Sequence, residues 1–169
     1  MIRLVLATAV ALMATAAPAR VAAPHVRATS FDQLGKPLPL PYDETAPAEA
    51  RVAAARARAL RSHKRLLIDL GGNWCLDCRI LAGVMELPDM RGFVARHFEV
   101  VTVDVGRFDK NLAIPAHYGI TKRLEGVPAV LIVDPRTDRL LNAGRVSALA
   151  DARSLSPQAL ADWLAQWAA

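Results

Sequence analysis

The sequence predicts an α/β fold of three layers, with a central mixed sheet of about four strands flanked by helices. Three observations predict it. Short apolar runs recur at Leu66–Leu70, Phe98–Val105 and Val127–Val133, too short for core helices and bounded by turn residues. Breaker-free or helically periodic stretches separate and flank them, which is the alternation that builds helix-covered sheets. The last two strand candidates are joined by Asp134–Asp138, a turn-rich stretch that reads as a hairpin.

Taken in order, Thr45 with Pro47 two residues on reads as a helix start, and Ala48–His63, rich in Ala and Arg, forms the first helix. Leu66-Leu67-Ile68-Asp69-Leu70 is a strand buried on both faces, ending at Gly71-Gly72. Arg79–Met85 is helical, Pro88 restarts or kinks the helix, and Met90–His97 continues it. A strand follows in Phe98–Val105. Residues 109–118 allow a short helix interrupted at Pro115. Val127–Val133 and Arg139–Ala143 pair as the hairpin. Ser156-Pro157 caps a last helix, Gln158–Trp167, whose Leu160, Trp163, Leu164 and Trp167 recur at helical spacing.

Three segments divide the chain. Residues 1–23 read as a signal peptide: Arg3 precedes an uncharged run from Leu4 to Ala19, and small residues offer cleavage after Ala19 or Ala23. An uncleaved inner-membrane anchor is the alternative, against which the run is short and Ala-rich. Residues 24–45 carry Pro24, Pro37, Pro39 and Pro41 with little periodicity and read as an extended leader without a packed core. Residues 46–169 are the folded domain. With 21 Lys and Arg against 16 Asp and Glu, the net charge of +5 is too mild to argue for a nucleic-acid partner. Arg51, Arg56, Arg58, Arg61, Lys64 and Arg65 read as one solvated helix face.

The chemistry lies in the two cysteines. Disulfide-stapled exported domains carry several spread along the chain, whereas Cys75 and Cys78 are three apart at a strand-to-helix junction. Backbone N–H groups and the helix dipole there stabilise a thiolate on Cys75, the nucleophile of disulfide exchange. One turn on, Cys78 is placed to resolve the mixed disulfide. The same thiols could carry zinc or copper, but a closed structural zinc site needs four ligands and His25, His63, His97 and His117 are scattered. A substrate-binding chaperone without redox turnover is a further reading. No metal or organic cofactor is required for the redox chemistry.

Trp74 before Cys75, the acidic Asp69 within an apolar strand, and Gly126-Val127-Pro128 opening a later strand together resemble the thioredoxin family over about residues 60–168. The resemblance implies a thioredoxin-like fold, a cis Pro128 facing the disulfide, a Val127 backbone that pairs with an extended substrate segment, and Asp69 as the buried acid that manages the proton of Cys78. Trp74 either packs beneath the active-site loop or touches substrate. Asp77, in the Leu76-Asp77 that stands between the cysteines, is the expected redox-tuning residue: a carboxylate beside Cys78 disfavours a thiolate and implies a reducing or intermediate potential. More closely, Pro41-Tyr42-Asp43-Glu44, the Asn73-to-Arg79 string and Asp151–Ser156 resemble bacterial exported proteins labelled disulfide isomerases. That resemblance implies a periplasmic protein that reduces or isomerises disulfides of exported proteins and is served by a membrane or periplasmic thiol electron donor. Isomerases of this fold commonly dimerise through an added domain for which residues 24–45 are too short, so a monomeric reductase is expected. Asp104, Asp109, Asn111, Glu125, Asp134 and Asp138 read as turn and cap residues.

Overall fold

The structure is a computed structural model that describes residues 21–168. The apolar run read as a signal peptide falls in residues 1–20, outside the described residues. Among the described residues no helix is long and apolar enough to cross a membrane.

Four strands form one mixed sheet in the order β2-β1-β3-β4, with β1 spanning Arg65–Gly71, β2 Phe98–Asp104, β3 Ala129–Asp134 and β4 Arg139–Leu140. β1 and β2 are parallel, with Asp69 opposite Thr102; β3 is antiparallel to β1, with Asp69 opposite Val130. Side chains alternate across the sheet. Leu67, Val130 and Ile132 therefore join a core with α2 (Leu76–Met85), α3 (Pro88–His97) and α5 (Pro157–Ala165). Leu66, Ile68, Leu70, Leu131 and Val133 face α1 (Ala48–Ser62) and α4 (Ala113–His117). The result is the three-layer α/β arrangement.

Several boundaries differ from the sequence expectation for local reasons. Thr45 does not cap α1: its hydroxyl and N–H both go to Asp43 Oδ1, and Pro47 occupies the cap position. Pro88 divides the helix, because a residue before proline is forced out of the helical region. Leu87 is extended at φ −56°, ψ 142°, and α3 starts on Pro88 itself. Pro115 does not interrupt α4, since it lies in the first turn, where a missing N–H costs little. β4 is only two residues long because Asn142 turns inward. Its Oδ1 accepts from Ile132 N at 2.9 Å and its Nδ2 donates to the Val130 carbonyl at 2.7 Å, replacing backbone partners along β3.

The basic face of α1 is engaged with acids from elsewhere: Arg51 with Asp43, Arg56 with Asp138, Arg58 with Glu99, and Arg65 at the start of β1 with Asp134. Such partly exposed pairs are each worth at most about 1 kcal/mol, so they orient the helix more than they hold it.

Residues 24–45 are irregular apart from a short 3-10 helix at Phe31–Gln33, and contrary to expectation they contribute to packing. Val26, Leu34 and Leu38 are buried in the core beneath α2, α3 and α5, and Tyr42 in the opposite one. Irregular chain needs outside partners for its backbone, and here they are specific. The Gln158 side chain of α5 accepts from Val26 N and donates to the Pro24 carbonyl. Arg79 donates from Nε to the Pro39 carbonyl and from Nη2 to that of Leu38. Thr102 Oγ1 donates to the Pro41 carbonyl at 2.8 Å.

A candidate dithiol active site

β1 ends at Gly71 and the chain turns through Gly72-Asn73-Trp74 into α2, whose N-cap residue is Cys75. Cys75 has the extended backbone of an N-cap, so its side chain lies over the orphan N–H groups of the first turn. Its Sγ accepts from Cys78 N at 3.1 Å. The two cysteines form a disulfide with Cα atoms 5.3 Å apart. Cys75 is 6% exposed and Cys78 fully buried, so an attacking partner reaches the first sulfur and not the second.

The loop before β3 supplies the other wall. The Val127–Pro128 peptide bond is cis, and the Val127 carbonyl oxygen lies 3.4 Å from Cys75 Sγ. Trp74, 42% exposed, stands beside the pair; its indole N–H donates to the Gly106 carbonyl at 2.8 Å and the Arg107 guanidinium sits over its ring at 4.3 Å. A Cβ on Gly72 would strike that indole, so this glycine is what lets Trp74 fold back. Trp74 is anchored and solvent-facing at once.

Asp69 is completely buried on the central strand. Burial pushes its carboxyl up to about 7, with a hydrogen bond from Tyr42 as the smaller, opposing influence. Tyr42 Oη donates to Asp69 Oδ2 at 2.9 Å, while Oδ1 is buried without a hydrogen-bond partner. The structure thus gathers Cys75, Cys78, Asp69, Trp74, Val127 and Pro128 at one end of the sheet. Two residues that sequence reasoning did not assign to the site join them: Tyr42 and Asn73, the latter exchanging hydrogen bonds with the Tyr42 main chain through its Oδ1 and Nδ2.

Asp77 has a different setting from the one expected of a free carboxylate beside Cys78. It is buried and bound by Arg153, whose backbone N and Nε donate to Oδ1 at 2.9 and 3.0 Å and whose Nη2 pairs with Oδ2. Burial would raise the Asp77 carboxyl, but the hydrogen bonds and charge of Arg153 outweigh it and hold the group below the usual carboxylate range. Its negative charge is matched at source and ties the first turn of α2 to the short helix Ala152–Ser154. Arg153→Ala should lower Tm by a few degrees. A depressed native pKa stabilises above the unfolded value, about 4, and that stability is lost as pH falls through the native one. The deficit of the variant should therefore be full at pH 7, begin to shrink as the pH falls below about 4 and be gone only below the native value; an undiminished deficit at pH 3 would show that the pair is not what Arg153 contributes.

A family model described as thioredoxin-like matches residues 47–135. The chain belongs to the thioredoxin-like family. Among solved structures, it is 40% identical to one described as a disulphide isomerase from Xylella fastidiosa Temecula1, over 76% of this chain and 96% of that one, with a TM-score of 0.69. The oxidised C-terminal domain of DsbD from Neisseria meningitidis is 23% identical over 57% of this chain and 83% of that domain, at a TM-score of 0.41. No curated protein matches. In a thioredoxin-like fold, a Cys-x-x-Cys disulfide at this helix start is the equipment of a thiol–disulfide oxidoreductase. Among the described residues no group of three or more His, Cys, Asp or Glu side chains is placed to hold a metal ion.

Proposed function

We propose that this protein is a monomeric periplasmic reductase of disulfides in exported proteins, re-reduced by a membrane or periplasmic thiol donor. The observation that carries the reading is the asymmetry of the pair: Cys75 Sγ sits at a helix N-cap against an open loop, and Cys78 lies fully buried, its sulfur bordering the same small space as the Tyr42 hydroxyl that binds Asp69. In the reduced state the Cys75 thiolate attacks a substrate disulfide, one substrate sulfur leaves with the electron pair of the broken bond, and a mixed disulfide remains. Asp69 then takes the Cys78 proton. The Cys78 thiolate attacks Cys75 Sγ, the bond to substrate breaks, and the substrate has gained two electrons that the Cys75–Cys78 pair has lost.

What faces the sulfurs supports a reducing rather than an oxidising potential. Strong oxidants stabilise their thiolate with positive charge. Here Arg153, bound to Asp77, is compensated, while a carbonyl oxygen faces Cys75. The similarity to a structure described as a disulphide isomerase favours isomerisation as a second reading. Equilibration with thiol/disulfide buffers, followed by Trp fluorescence and thiol content, should give a potential near roughly −270 mV, whereas one near −120 mV would make the protein an oxidant. Faster reactivation of scrambled substrate than reduction of a native disulfide would favour the isomerase. N-terminal sequencing of the periplasmic protein should begin at Arg20 or Pro24; an intact Met1 would remove the cleaved leader from the proposal.

A further inference from the structure

We propose that Tyr42, supplied by the segment ahead of the first helix, is a positioning residue of the dithiol site: its hydroxyl holds Asp69 by one oxygen and leaves the other to exchange a proton with Cys78. The proposal rests on the dithiol reading above and names a further member of that site.

Three independent contacts place the phenol. Asn73, two residues before Cys75, clamps the Tyr42 main chain from both sides, with Tyr42 N donating to Oδ1 at 3.1 Å and Nδ2 donating to the Tyr42 carbonyl at 2.7 Å. Arg79, the residue after Cys78, binds the carbonyls of Leu38 and Pro39. Thr102, opposite Asp69 across the sheet, binds that of Pro41. The polar residues bracketing the cysteines are thus the receptor for the segment that carries Tyr42.

Gly71 completes the arrangement. A Cβ there would overlap the Tyr42 hydroxyl, come within 2.7 Å of Tyr42 Cζ and within 2.8 Å of Cys78 Sγ. Phenol and resolving sulfur therefore border the same small space, and only glycine leaves it open to both. Tyr42 is 3% exposed, and its acidity is suppressed by burial and by the adjacent Asp69, so it acts as donor at working pH. With Oδ2 accepting from that fixed donor, the unpartnered Oδ1 is the atom available for the proton of Cys78. The groups that bear on this cluster are Tyr42 from the leader, Cys78 from α2, and Asp104 at the end of β2, itself paired with Lys110.

A hydrogen bond to the charged form of Asp69 favours ionisation, so its loss shifts the group to higher pH. Tyr42→Phe removes one oxygen and keeps the ring. Its ascending pH limb for release of substrate from the Cys75 mixed disulfide should move alkaline by about one unit, a roughly fivefold slower release at pH 7 and roughly tenfold well below it. Carbon-13 NMR of the Asp69 carboxyl in the oxidised full-length protein should show the same displacement. In the Asp69→Asn background, Tyr42→Phe should change release no further. An unmoved Asp69 titration, or an additive loss in the double variant, would overturn the proposal. If the wild-type protein performs no exchange, the proposed function falls, while the carboxyl titration of oxidised Tyr42→Phe still decides the role of Tyr42.

Discussion

Cys78→Ser should accumulate a covalent adduct between Cys75 and a substrate cysteine, whereas Cys75→Ser should form none and reduce no disulfide above the uncatalysed level. The difference follows from access. Cys75 presents its sulfur at the mouth of the site, and Cys78, with no exposed surface, can react only with a sulfur already attached to its neighbour. Serine in place of Cys78 lets attack proceed and removes resolution, because a hydroxyl cannot displace the substrate thiolate. Non-reducing electrophoresis after mixing the reduced variants with a disulfide substrate measures this, and the double variant should be no worse than Cys75→Ser alone. An adduct on Cys78 in the Cys75→Ser protein would reverse the assignment of the two sulfurs.

Asp69→Asn should make the oxidised protein more stable at pH 8 by up to about 4 kcal/mol while slowing release of substrate. In the unfolded chain the carboxyl titrates near 4, in the native protein at about 7. The native state keeps its proton longer, so raising the pH through this interval favours the unfolded chain, and the whole penalty is present above the native value. Asparagine carries no charge at either pH and still offers an oxygen to the Tyr42 hydroxyl. Urea unfolding should therefore show the variant ahead of wild type at pH 8 and level with it at pH 4. Equal differences at both values would mean that Asp69 is not the group that pays for its burial.

Much of this site was legible because its signals are local. The cysteines, Trp74 and the acid in an apolar strand lie within ten residues, and apolar runs marked three strands of the sheet. What escaped, the loop at Val127 and Pro128 aside, was held by contacts remote in sequence. Tyr42 sits in a proline-rich stretch with neither helical nor strand period, and its partner Asp69 is 27 residues away. Val26, Leu34 and Leu38 bury themselves at irregular intervals, which a search for periodicity passes over. Arg153 lies 76 residues from Asp77, so the carboxylate beside Cys78 read as an uncompensated charge. β4 was over-extended because an asparagine side chain that stands in for a strand has no signature of its own.

The grip of Gln158 on Pro24 and Val26 spans more than 130 residues and joins the beginning of the described chain to its last helix. Closing so long a loop brings its reward only when both ends are present. A polypeptide lacking α5, whether truncated or still emerging, leaves the leader without its Gln158 anchor and exposes the apolar core surface that Trp163 and Leu164 cover. The packed unit thus extends beyond the segment matched by the family model on both sides, since the leader that brings Tyr42 to Asp69 is fastened in part by α5.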